Sequence, residues 1–300
     1  MFRLMLNRHH AFHVPGETWF LTEVLDRFPS QGPLTPEQVT GVSNLIHEHW
    51  RWKEWGMDES VSRAAVQALS EPTLADVVDT IYRVPMADAG KRRWIDKTPG
   101  YTTEIPRLHR LFPEAKFVHV IRDGRDVVIS LRRTGWHGQK SWNIAEYWAT
   151  AVSTARRDAG ALATHQYLEV SYERLVLETE AALREVCDFL GEAFDPAMLE
   201  FHDTADDHIP DRATPHLSKT FRPPRESDVQ RWRHEMGYYH RVTTEAMAGA
   251  TLEDVGYERS VNMPLGWVRA VCRGLDEAAV MTLPLRRRLG LHFPQGRKKL

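Results

Sequence analysis

Arg122 stands at the end of an apolar, β-branched run, Lys116-Phe-Val-His-Val-Ile121. A turn, Arg122-Asp-Gly-Arg-Asp126, and a helical stretch from Val127 to Arg133 follow it. Open α/β sheets gather ligands at the carboxyl ends of their strands, where Arg122 falls. A helix N-terminus beside it offers unpaired N–H groups and a positive dipole, which together favour phosphate. Arg125 adds charge, and Ser130 offers a hydroxyl two turns later. In the competing reading, Asp123 and Asp126 only cap the helix while Arg132 and Arg133 complement its other end. On the residues alone the two readings carry equal weight.

The elements needed to hold such a site are legible along the chain. Residues 2–9 have helical spacing, with Phe2, Met5 and Leu6 on one face. Thr35-Pro36-Glu37-Gln38 is a helix start, with a Thr cap, Pro at the first helical position and Gln three residues after the cap. A second helix opens near Thr73, Arg93–Asp96 is a short strand stopped by Pro99-Gly100, and residues 105–112 form a short helix. After 133 come a long helix over 143–163, a strand over Tyr167–Val170, and a helix over 178–190 that Gly191 ends. Strands alternating with helices predict an α/β fold, a parallel sheet with helices on both faces.

The chain has 300 residues, 42% of them hydrophobic, enough for one sizeable core or two small ones. With 39 basic and 41 acidic residues, no global pull toward nucleic acid is expected. Cys187 and Cys272 make neither a disulfide framework nor a metal pattern and read as packing residues. His9-His10-x-x-His13 lacks a carboxylate or Cys to complete a site, so no metal is expected. Trp50, Trp52 and Trp55 could stack on an acceptor, but core or subunit packing is the stronger reading. There is no apolar run of about 18 residues and no signal-peptide layout, which makes a cytoplasmic location the expectation.

Lys97-Thr-Pro99, followed by Leu111-Phe-Pro-Glu-Ala-Lys-Phe-Val-His-Val-Ile-Arg122-Asp-Gly-Arg-Asp-Val-Val-Ile-Ser130, resembles the 3′-phosphate region of sulfotransferases that use 3′-phosphoadenosine 5′-phosphosulfate (PAPS). The family's Arg at a strand end and its Ser eight residues on match Arg122 and Ser130. Val170-Ser-Tyr172-Glu-Arg-Leu-Val176, Cys187-Asp-Phe-Leu-Gly191, Phe194-Asp-Pro196 and Leu217-Ser218-Lys219 with Arg231-Trp-Arg233 resemble later family segments. The likeness spans about residues 2–257, and bacterial and tyrosylprotein sulfotransferases are the most similar branches. It implies a P-loop-like domain over residues 1–260 with a basic extension over 261–300. It implies PAPS as co-substrate, no metal, and a hydroxyl on a carbohydrate, peptide, lipid or small molecule as acceptor. Tyr172, Ser218 and Lys219 would join Arg122 and Ser130 on the nucleotide. Gly16-Glu17-Thr18 resembles the setting of the tyrosylprotein branch's general base, which implies Glu17 in that role. Lys97 matches the lysine that offsets charge on the leaving oxygen. As surface residues, Glu17 would be a loop carboxylate and Lys97 a solvated turn lysine.

The family opens with a strand and a Pro-Arg-Ser-Gly-Thr loop around the 5′-phosphosulfate. Met1-Phe-Arg-Leu-Met-Leu-Asn7-x-His9 resembles the helix after that loop. No Gly-x-x-x-x-Gly-Lys-Ser/Thr or Gly-x-Gly-x-x-Gly replaces it, which also argues against another P-loop phosphotransferase. The first strand and phosphate loop are therefore expected to be missing, and Met1 to be an internal methionine. A catalytically inactive nucleotide-binding or interaction protein is the alternative. The expected start lies roughly 10–40 residues upstream, about one strand plus a loop and a short lead. Translating the DNA upstream of the Met1 codon should show an apolar strand followed by Arg-Ser-Gly-Thr or a close variant. An in-frame stop directly upstream would favour the inactive protein.

Overall fold

The computed structural model describes residues 1–55, 57–135, 138–204 and 221–275. Ser218, Lys219 and the basic segment beyond residue 284 lie outside them. The chain divides into two compact units, Met1–Val120 with Ala155–Arg225, and Ile121–Thr154 with Glu226–Leu300.

In the first unit, helix α1 (Phe2–Arg8) leads to a two-residue strand β1 (Phe12–His13). Helices α2 (Phe20–Arg27), α3 (Pro36–Glu48), α4 (Glu59–Gln67) and α5 (Leu74–Asp88) follow, then β2 (Arg93–Trp94) and α6 (Ile105–Leu111). Two of these starts are reciprocal capping boxes, Thr35 with Gln38 and Thr73 with Asp76, which satisfy otherwise orphaned backbone donors. β1 and β2 run parallel, with Phe12 opposite Arg93 and His13 opposite Trp94. Strand β3 (Phe117–Ile121) neighbours a later strand, β4 (Tyr167–Ser171), in a second pair. β4 is its only strand neighbour among the described residues, and four of its five residues are only half-buried.

Two apolar clusters make up this unit. Phe20, Val42, Ile46, Leu74, Val78, Ile81 and Tyr82 join α2, α3 and α5. Trp52 and Trp55 pack on the same cluster, as the core reading expects, whereas Trp50 is 37% exposed. The other cluster sets α1 and β1 against α9 (Tyr172–Leu177) and α10 (Thr179–Leu190) through Met5, Phe12, Leu175, Leu183 and Cys187. Gly191 ends α10 at φ 82°, a left-handed conformation that favours glycine. The last-turn carbonyls of α10 accept from Lys116 Nζ (Phe189 O, 2.6 Å) and Arg93 Nη1 (Leu190 O, 2.5 Å). Both are cations placed where the helix dipole is negative.

The second unit contains α7 (Gly124–Thr134), most of α8 (Ser141–Ala159), α11 (Trp232–Glu235) and α12 (Tyr238–Asp254). Val128, Ile144, Trp148, Trp232, Met247 and Leu252 form its core, joined by Val261, Leu265, Val268 and Cys272. Both cysteines are buried and free, in keeping with packing roles.

Arg125 differs from its expected role. It turns inward and its side chain is 3% exposed. It pairs with Asp123 (2.8 Å) and Glu245 (2.9 Å), donates to Glu258 O (2.9 Å), and lies 3.7 Å over the Trp232 ring. Glu245 in turn accepts from Ser260 N, Ser260 Oγ and Val261 N. Burial pushes the Asp123 carboxyl up despite Arg125, while these donors hold Glu245 below the usual range against its own burial. A cation so enclosed has no charge to offer an external anion. Removing it leaves two buried carboxylates uncompensated. Arg125→Ala should destabilise the protein by about 3–5 kcal/mol, read as a lower midpoint in urea unfolding.

Candidate active site

Glu17 and Lys97, 80 positions apart, meet in the first unit. Lys97 Nζ donates to Glu17 Oε1 at 2.7 Å. Trp19 Nε1 donates to Glu17 Oε2 at 3.1 Å, and Arg51 Nη2 lies 3.7 Å from that same oxygen. Their side chains stay open, 27% exposed for Glu17 and 39% for Lys97. Burial by itself would raise the Glu17 carboxyl, but Lys97, Trp19 and Arg51 outweigh it and hold the group below the usual glutamate range.

A buried polar network sets this meeting. Thr18 N–H donates to Thr98 Oγ1 (2.9 Å), and Thr18 Oγ1 donates to Asp96 Oδ2 (2.7 Å). Tyr82 OH donates to the same Asp96 oxygen at 2.5 Å. The Tyr101 hydroxyl lies 2.8 Å from Thr18 Oγ1 and accepts from Leu21 N at 3.0 Å. Burial pushes the Asp96 carboxyl up against the opposing pull of Tyr82, Thr18 and Thr98. The network ties the Glu17 loop to the segment after β2, one residue from Glu17 and one from Lys97. Thr18, Tyr82, Asp96 and Tyr101 were not singled out from sequence. The available signal was Asp96 itself, a carboxylate closing an apolar strand, which requires buried partners.

The second unit carries Arg122 and Ser130. Arg122 Nη2 donates to Asp126 Oδ2 (3.1 Å) and Asp228 O (3.2 Å), and its side chain is 20% exposed. Ser130 lies one helical turn past Asp126 on α7, on the same face. The α7 N-terminus is less open to an outside anion than its sequence implies, because Asp123 accepts from Arg125 N at 2.9 Å. Asp126 does not cap. Its Oδ1 accepts from Trp232 N at 2.8 Å. Tyr172, in the first unit, opens α9 and is half-buried.

His9, His10 and Asp195 cluster closely enough to hold a cation. However, His9 Nδ1 accepts from Ala11 N (3.0 Å) and its Nε2 faces Ala193 O (2.8 Å), so neither nitrogen has a lone pair to give. The cluster is a clasp between α1 and the segment after α10.

Residues 1–196 match the sulfotransferase family, and the chain belongs to it. It is similar to protein-tyrosine sulfotransferase A of Caenorhabditis elegans, 25% identical over 54% of this chain and 44% of that protein. It is also similar to nodulation protein NoeE of Sinorhizobium fredii, 28% identical over 61% of this chain and 49% of that one. The chain thus spans under half the length of each of these two curated relatives. Among solved structures, the sulfotransferase domain of the Synechococcus PCC 7002 olefin synthase matches in fold, with a TM-score of 0.55 and 23% identity over 88% of this chain and 90% of that one. Among the described residues no helix is long and apolar enough to cross a membrane.

The ion pair makes a titration prediction. Because the Glu17 pKa is lowered, the pair's stabilisation is present above the ordinary glutamate value and is lost as pH falls through the lowered folded value. Carboxyl NMR should place the Glu17 midpoint below that of an exposed glutamate. Lys97→Met should move it up, and an unmoved midpoint would deny the pairing.

Proposed function

We propose that this protein moves a sulfuryl group from PAPS to an acceptor hydroxyl. The reading rests chiefly on the contact between Glu17 and Lys97, a carboxylate and an ammonium held at 2.7 Å on an accessible face. Family membership supports it. So does the chemistry of the donor set: cationic and hydroxyl side chains suit a polyanionic nucleotide.

The donor supplies an activated sulfur bonded to a good leaving group. Glu17 takes the proton of the acceptor hydroxyl as its oxygen bonds to sulfur. Lys97 offsets the charge that builds on the phosphate oxygen as the old S–O bond breaks. Both tasks require the resting ion pair to open. Anionic donor groups compete for Lys97, and the freed carboxylate becomes a stronger base because the charge that depressed its pKa has gone elsewhere. Arg122 and Ser130 take the 3′-phosphate, with Tyr172, Ser218 and Lys219 as further nucleotide contacts. Tyrosine hydroxyls are the acceptor suggested by the names of several relatives.

In a form of the protein shown to turn over PAPS, Glu17→Gln should lower kcat by roughly 10²–10⁴ while nucleotide affinity barely changes. Calorimetry on Arg122→Ala should show adenosine 3′,5′-bisphosphate binding weaker by about 2 kcal/mol, the scale of a lost charge-assisted hydrogen bond. Near-normal turnover of Glu17→Gln would overturn Glu17 as the base, and a protein that neither binds adenosine 3′,5′-bisphosphate nor turns over PAPS would overturn the reading as a whole.

A further inference from the structure

Trp19 breaks two local rules at once. It occupies the N-cap of α2, where Ser, Thr, Asp or Asn would accept from the helix, and it makes no side-chain cap. Its backbone is left-handed, φ 61° and ψ −15°, a conformation that a bulky side chain adopts only under strain. Burial does not repay the strain in full, since the residue remains 39% exposed. Two contacts fix the ring. Its Nε1 donates to Glu17 Oε2, and its six-membered ring crosses Gly100, where a Cβ would come within 2.4 Å of Cζ3. A glycine in the Lys97 segment thus leaves room for a rigid, exposed indole beside the carboxylate. Residues that break local rules without a gain in stability are expected at functional positions.

We propose that Trp19 is the acceptor-positioning residue of this site, the surface against which a ring-bearing acceptor lies with its hydroxyl at Glu17. An indole face stacks on a planar aromatic ring or on the C–H face of a sugar, and gives a linear alcohol much less. The acceptor class is therefore a hydroxyl carried on a ring with a face that stacks, the planar face of a phenol or the C–H face of a hexose. The inference rests on Glu17 as the base, but its test does not need turnover.

Ligand-observed saturation-transfer NMR on the protein, with phenol, a methyl hexoside and 1-butanol as separate probes, reads the contact directly. At least one ring probe should bind and butanol should not, and the ring that binds tells a phenolic acceptor from a sugar. Trp19→Asn should weaken ring binding roughly 5–10-fold, the scale of one stacking contact. Its thermal midpoint should hold or rise, because Asn tolerates the left-handed backbone that strains Trp. Trp19→Phe should keep ring binding yet raise the Glu17 midpoint, having lost the N–H donor. Gly100→Ala should weaken ring binding by displacing the indole without altering it. The proposal fails if neither ring binds, if ring binding survives Trp19→Asn, if butanol binds equally, or if Trp19→Asn lowers the thermal midpoint in step with ring binding. An active Glu17→Gln protein that still shows Trp19-dependent ring binding would instead sink only the assignment of the base.

Discussion

Asp96 lies beneath the candidate site with one oxygen shared between Tyr82 and Thr18, while its Oδ1 is buried with no partner among the described residues. A buried carboxylate is costly unless donors surround it. Here the donors come from two places, Tyr82 on α5 and Thr18 in the loop after β1, and Thr98 Oγ1 holds Thr18 in turn by accepting from its N–H. Satisfying Asp96 draws Thr18 onto the segment after β2. Because Glu17 precedes Thr18 and Lys97 follows Asp96, the same demand brings the carboxylate and the ammonium to one point. The ion pair is half-buried and open to solvent, and the network that places it is buried and has few alternatives.

The second unit shows what one short motif can conceal. Arg122 and Arg125 are three residues apart, yet Arg122 retains access to solvent and Arg125 is enclosed by Asp123, Glu245 and Trp232. The cation that holds the unit together is spent on its core, and of the two only the other reaches solvent.

Local chemistry was readable. The capping box at Thr35, the helix start at Thr73, the strand before Arg122 and the glycine stop at 191 all appear where their residues predict. Helix α2 was not read, because its cap is a tryptophan in a conformation no propensity favours. The α7 boundary was set three residues late, since Gly124 suggests a turn but stands as the first helical residue. Periodicity could not turn Arg125 inward, as its partner Glu245 is 120 residues away. Resemblance singled out Glu17 and Lys97 separately, but not their contact, for neighbours 80 positions apart leave no local trace. The network beneath them combines separations of 14, 78 and 83 positions, and only the folded backbone reveals it.

The clasp between α1 and the segment after α10 bears on how the protein is made. His9 meets Ala193 across 184 residues, and the entire Ile121–Thr154 stretch of the second unit lies between them. During synthesis at roughly 5–20 residues per second, the first helix is without its partner for roughly 9–37 s. Its apolar face, with Met5 and Leu6 fully covered in the finished protein, lacks the cover of α9, α10 and the segment after them for most of that interval. The emerging chain therefore presents a ready target for holding chaperones, and the speed of translation becomes a determinant of yield that no feature of the mature surface would disclose.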